Sequence, residues 1–168
     1  MPALHRRRGA LNWRLRLGLA AAAAVALADQ ASKWWLAQTI LPRQGRAIEL
    51  LPFVNLVEVW NRGMSFGLFN QAQASWVFVV LAALISAALV AWLARAERPL
   101  TALSLGLVLG GAAGNVVDRL RFGAVFDFLD VHAAGWHWPA FNLADSAISV
   151  GVALLLLDGL SGPRKSPK

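Results

Sequence analysis

The run from Trp76 to Leu93 carries no charge, and as a helix it would be about 27 Å long, close to the hydrocarbon thickness of a bilayer. Comparable apolar stretches occupy Leu100–Val117 and Leu143–Leu160. A fourth, Leu17–Ala28, is short and ends in Ala26-Leu27-Ala28, which also fits a cleavable signal peptide. The chain continues as DQASKWWLA, however, and a helix carried through to Leu36 reaches about 20 residues, enough to span. With 58% hydrophobic and 15% charged residues, the chain is too apolar for a soluble domain. The expected fold is an all-α polytopic membrane protein: one domain, residues 1–168, with spans over 15–36, 76–93, 100–117 and 143–160. Loops 37–75 and 118–142 join them on one side.

The net charge of +7 does not indicate nucleic acid, because the basic residues lie at the ends of apolar segments rather than in one patch. Ten of the sixteen Lys and Arg fall in the amino end, the 95–98 loop and the carboxyl tail, which places both termini on the cytoplasmic side. Trp13 and Trp92 then sit at cytoplasmic span ends, and Trp34, Trp35, Trp76, Trp136 and Trp138 at or near the outer boundary, as aromatic belts require.

Between the first two spans Pro42, Gly45 and Pro52 break regular structure, while ELLPFVNLVEVWN has the β-branched and aromatic content of one or two short strands. NRGMSFGLFN follows. Gly63 and Gly67 give it backbone freedom, and Met64, Phe66, Leu68 and Phe69 are apolar enough to enter the interface; a mobile lid over residues 61–69 is expected. In the third span Gly106, Gly110 and Gly114 recur every four residues, a small-residue stripe suited to close helix packing. Asp158, near the end of the fourth, reads as an interfacial residue.

Asp118, Asp127 and Asp145 lie where the last two spans meet the loop between them, and carboxylates so close to hydrocarbon are rare without a task. Each has an ordinary explanation. Asn142 and Asp145 fit the N-cap and N3 positions of a helix, Asp118 with Arg119 fits a charged helix end, and Asp127 a loop acid. Their coincidence with Asn115 and Asn142 on one short excursion argues for more. Asp29 and Lys33, at i and i+4, reach the same outer layer. No cysteine is present, the histidines are only His5, His132 and His137, and no HExxH occurs, so no metal or other cofactor is expected. Ser146 has no nearby histidine, though a pairing with Lys33 stays open. Two carboxylates, one protonated and one ionised, can activate water and protonate a leaving group. Asp145, at the positive end of a helix dipole, is favoured as the ionised partner.

DQASK (29–33), NRGMSFG (61–67), GGAAGNVVDR (110–119), VFDF (125–128) and FNLADS (141–146) together resemble the ordered motifs of bacterial lipoprotein signal peptidases, the type II signal peptidases. The resemblance covers all four expected spans. It implies an aspartic endopeptidase of the bacterial inner membrane, with a small β-containing periplasmic loop region. Its substrate would be a diacylglyceryl-modified prolipoprotein, cut just before the lipidated cysteine. Asp127 and Asp145 would be the catalytic dyad; Asn115, Asp118, Arg119 and Asn142 would shape the site, and Asp29, Lys33, Asn61, Gly63 and Phe66 would support it. Met64 stands where a smaller aliphatic residue is expected. Membrane lipids are the other expected partner, nucleic acid is not, and the protein is expected to be a monomer. The alternative is a small transporter or channel subunit with an acidic outer vestibule. It would need polar residues through the bilayer, whereas the second span and the cytoplasmic half of the third are apolar apart from Ser86, Thr101 and Ser104.

Overall fold

The glycines of the third long helix decide how the bundle packs. In the computed structural model this helix, α3, runs Pro99–Phe122, and the others are α1 (Ala3–Trp35, continued by a π-helical turn, Leu36–Ile40), α2 (Gln71–Leu93) and α4 (Leu143–Leu160). The structure describes the backbone of residues 3–40, 47–63 and 71–161, and the side chains of 13–38, 47–63 and 75–161. The stretch 64–70, with Met64, Phe66 and Gly67, lies outside the described residues.

A Cβ on Gly106 would strike the Gly18 carbonyl, one on Gly110 would stand 2.5 Å from Ala22 O, and one on Gly114 2.5 Å from Asp29 Oδ2. This stripe therefore carries α1 along its length in backbone contact. The opposite side of α3 does the same for α4: Gly111 lies against the Ala144 carbonyl, and Gly151 of α4 against Ser104 O. Such close approach leaves dispersion and short polar contacts to hold helices that hydrocarbon alone does not drive together. At the other end Leu93, Ala96, Ala102, Leu105 and Leu109 form an apolar core. There Asp158, two residues from the end of α4, is buried, 5% exposed. Arg98 Nη1 stands 2.8 Å from its Oδ1, and Thr101 Oγ1 donates to its Oδ2; a buried acid persists only with such partners.

Among the described residues, three helical segments are long and apolar enough to cross a membrane, Ser75–Leu93, Pro99–Phe122 and Leu143–Leu160. α1 is long enough, but Asp29, Gln30 and Lys33 interrupt its apolar run.

The loops carry an antiparallel four-stranded sheet in the order β1-β2-β3-β4, with β1 Ile48–Leu51, β2 Val54–Asn61, β3 Val125–Ala133 and β4 Trp136–His137. β1 and β2 occupy the stretch expected to form strands. β3 falls in the segment expected to be loop, where Asp127 and Asp130 interrupt an otherwise β-branched and aromatic run. Phe126 and Phe128 pack with Leu36 and Leu56 under the sheet. α3 also runs past Val117 to Phe122, where Gly123, at φ 70°, takes the left-handed turn that caps it and donates its N–H to Arg119 O. β3 pairs with β2, Val59 opposite Asp127 and Asn61 opposite Val125. It also bonds Phe141 through Leu129, which returns the chain to the start of α4.

Gly110→Leu is expected to lower stability by about 1–3 kcal/mol through overpacking against α1. Gly159→Ala, whose added Cβ meets nothing within 4 Å, should keep or slightly raise the thermal unfolding midpoint; equal midpoints for both variants would contradict the packing.

Candidate active site

A lysine ammonium in a largely apolar bundle must find acceptors for its three protons. Lys33, 5% exposed, lies 2.9 Å from Asp29 Oδ2, one turn earlier on α1, and 2.8 Å from Asp118 Oδ2 on α3. It also donates to Asn115 Oδ1 at 3.2 Å. The two carboxylates then fasten further elements. Asp29 Oδ1 accepts the Ala144 N–H at 3.0 Å, in the first turn of α4, and Asp118 Oδ2 accepts the Phe126 N–H at 3.1 Å, at the start of β3. Gln30 Nε2 donates to Asp118 Oδ1 at 2.8 Å. One buried cation thereby ties α1, α3, α4 and β3 together.

From this cluster a chain of amides leads to the other two acids. Asn115 Oδ1 accepts both Lys33 and, at 3.2 Å, Asn142 Nδ2, so its own Nδ2 faces Asp145 Oδ1 at 2.8 Å. Asn142 is the N-cap of α4, its Oδ1 accepting the Asp145 N–H at 2.9 Å while Asp145 Oδ2 accepts the Asn142 N–H at 3.3 Å. The capping box expected at Asn142 and Asp145 is thus present, and the same two side chains also bond Asp127 and Asn115. With Oδ1 engaged by the cap, Asn142 Nδ2 is free to donate to Asp127 Oδ1 at 2.6 Å. Asn61, at the end of β2, donates from Nδ2 to Asp127 Oδ2 at 3.0 Å, its own Oδ1 accepting the Gly63 N–H at 2.9 Å. Gly63 is fixed twice over: its φ is 87°, and an added Cβ would collide with Phe78.

Asp127 is buried, and its carboxyl is pushed up to about 6, chiefly by burial and then, after the opposing hydrogen bond from Asn61, by the charge of Asp145. The bonds from Asn61 and Asn142 and the charge of Lys33 pull the other way. Asp145 is half-buried. Arg119 closes the α2 side, its guanidinium 5.1 Å from the centre of the Phe78 ring and Nη1 bonding Asn115 O at 3.4 Å.

The structure thus brings together Asp29, Lys33, Asn61, Gly63, Asn115, Asp118, Arg119, Asp127, Asn142 and Asp145; Phe66 lies outside the described residues. Asp118, read from sequence as the end of a helix beside Arg119, instead stands a turn before the end and pairs with Lys33. Sequence reasoning missed Gln30 and the backbone donors of Ala144 and Phe126. Gln30 lies within the DQASK motif, but its role exists only once α3 is alongside. Asp130 belongs to a separate group, accepting His137 Nδ1 at 2.9 Å and Asn55 Nδ2 at 3.0 Å, which holds its carboxyl below the usual range.

Residues 21–161 match the family model described as signal peptidase (SPase) II. The chain is 51% identical over 146 residues to the lipoprotein signal peptidase of Methylobacterium sp. (strain 4-46), covering 86% of this chain and 88% of that one. It is 43% identical over 157 residues to that of Methylorubrum extorquens (strain PA1), covering 90% of each. Two solved structures of a bacterial membrane enzyme superpose with TM-scores of 0.74 and 0.75 at 29% and 28% identity, covering 90% and 89% of this chain and 92% and 94% of theirs.

Removing Lys33 strands two buried carboxylates, so Lys33→Met is expected to destabilise the protein by about 3–5 kcal/mol. Asp118→Asn should likewise lower the unfolding midpoint. A wild-type midpoint for Lys33→Met would show that the cluster does not hold the helices.

Proposed function

The chain belongs to the signal peptidase II family, and on that premise we propose that it removes the signal peptide from diacylglyceryl-modified prolipoproteins. It does so as an aspartic endopeptidase, cutting just before the lipidated cysteine with Asp127 and Asp145 as its dyad. The observation that carries this reading is the Asp127–Asn142–Asn115–Asp145 chain of hydrogen bonds, which aims two carboxylates at one place from separate elements while their environments differ.

Asp127, with a carboxyl near 6, is the partner that holds the proton. It donates to the scissile carbonyl oxygen while ionised Asp145 takes a proton from water, and the water oxygen bonds to the carbonyl carbon. The carbonyl oxygen receives the Asp127 proton, giving a neutral gem-diol. Asp145 then delivers its proton to the amide nitrogen, the C–N bond breaks, and Asp127 recovers a proton from one hydroxyl. The products are a signal peptide ending in a carboxyl group and a lipidated cysteine with a free amine. Arg119 flanks the place where charge develops, and the buried lysine cluster fixes the amides so that little reorganisation is needed.

Specificity rests on the lipid. A groove of about 270 Å³, lined by Phe78, Leu81, Ile85, Val108 and Ile148, ends at Asn115 and Arg119. It suits an acyl chain entering between α2 and α4, each buried methylene contributing about 0.8 kcal/mol. Trp136 and Trp138, both exposed, suit the interfacial part of the substrate. In this reading α1 is a fourth span because it lies along α3 from Gly106 to Gly114. Both termini are cytoplasmic and the site is periplasmic, in the inner membrane. Reporter fusions after residues 45 and 130 should then read as external, and fusions after Arg95 or at the carboxyl terminus as internal; an external carboxyl terminus would overturn the topology.

With purified protein, Asp127→Asn and Asp145→Asn are expected to abolish cleavage of a lipidated precursor while the unfolding midpoint stays close to wild type. Normal turnover by a folded Asp127→Asn variant would sink the assignment. The unlipidated precursor should be cut with a far lower kcat/KM, and equal values would refute recognition through the lipid.

The free enzyme needs Asp127 protonated, so kcat/KM should fall as pH rises through about 6. Asn61→Ala removes a bond that favours the ionised form and should move that limb to higher pH; an unmoved limb would contradict the assignment. In the same window the native state binds more protons than the unfolded chain. Asp127 therefore contributes stability at low pH that is lost as pH rises from about 4 to about 6.

A further inference from the structure

Beside the lysine cluster lies a second cavity of about 190 Å³, lined by the ends of α1, α3 and β2 and by neither Asp127 nor Asp145. Its floor is Lys33 and Asp118, its walls are Trp34, Trp60 and Phe126, and Arg121 stands in its lining. The floor offers no free charge, because the Lys33 ammonium contacts Asp29, Asp118 and Asn115, and Asp118 already accepts from Gln30, Lys33 and the Phe126 N–H. Arg121 differs. Its guanidinium is 4.9 Å from the centre of the Phe122 ring, it is exposed, and among the described residues it makes no salt bridge. Trp34, 65% exposed, sits in the last turn of α1, where an indole marks the boundary between hydrocarbon and headgroups.

We propose that this cavity is a phospholipid site, with the phosphodiester held by the Arg121 guanidinium and the glycerol backbone against Trp34 and Trp60. The volume is too small for a signal-peptide helix, which is about 10 Å across, and it suits one headgroup. A planar guanidinium pairs with phosphate oxygens through parallel hydrogen bonds. The lipid source, rather than a free anion, follows from the aromatic walls and from the level of the cavity, beside the terminal turn of a helix long and apolar enough to span. A seated lipid would cover Gln30 and Asp118 and keep water from the cluster that positions the amides. The site is independent of the peptidase reading.

Native mass spectrometry of the full chain in detergent tests it, with phosphatidylglycerol, diacylglycerol of the same acyl chains, and inorganic phosphate as probes. Wild type is expected to retain one phosphatidylglycerol about tenfold more tightly than Arg121→Gln, the scale of one hydrogen-bonded charge pair. Trp34→Ala should also weaken retention, whereas Arg95→Gln at the opposite end should not. Diacylglycerol should bind wild type and Arg121→Gln alike. Arg121→Lys keeps the charge but loses the planar fork, so it should retain phosphatidylglycerol less well than wild type and better than Arg121→Gln; a loss equal to that of Arg121→Gln would assign the effect to something other than the charge and overturn the proposal. Equal retention of phosphatidylglycerol by wild type and Arg121→Gln would overturn it too, as would displacement of the lipid by inorganic phosphate at equal concentration, which would mean a free-anion site.

Discussion

Burying one ammonium governs the construction of this molecule. Taking Lys33 out of water costs several kcal/mol unless every proton finds an acceptor, and the acceptors come from α1 and α3, with α4 and β3 fastened in turn through Asp29 and Asp118. The small-residue stripe of α3 follows from the same demand. Gly114 has no side chain because Asp29 occupies that space, and Gly106 and Gly110 keep α1 close enough for Lys33 to reach α3.

Polar groups around the cluster do two things at once. Asn142 caps α4 with its oxygen and holds Asp127 with its nitrogen; Asn61 closes the turn to Gly63 with its oxygen and holds the same carboxyl with its nitrogen. In both cases the backbone fixes one end of the amide and thereby orients the other. Such an arrangement links the two carboxylates through neutral amides and leaves them in different surroundings, Asp127 buried and Asp145 half-buried.

Much of this was legible in the sequence because its signals are local. The i, i+4 pair Asp29–Lys33, the capping box at Asn142–Asp145, the glycine period and the apolar runs all come from helical spacing. The convergence of the acids on one layer followed from the orientation of the spans. Contacts between distant elements were not legible. Asp118 has Arg119 beside it in sequence and Lys33 beside it in space, and no local pattern favours the second. β3 was hidden because Asp127 and Asp130 break the alternation that marks a strand, yet inside the fold both acids have partners. The partners of Asp158 were not legible either, because Arg98 and Thr101 stand at the start of α3, far from it in sequence.

Asp127 and Asp145 are proposed to act as one coupled pair, and the most direct measurement is the titration of the Asp127 carboxyl by infrared difference spectroscopy, in wild type and in Asp145→Asn. Since the charge of Asp145 helps to raise Asp127 to about 6, neutralising Asp145 should move that titration to lower pH. A midpoint that stays in place or rises would contradict the pairing.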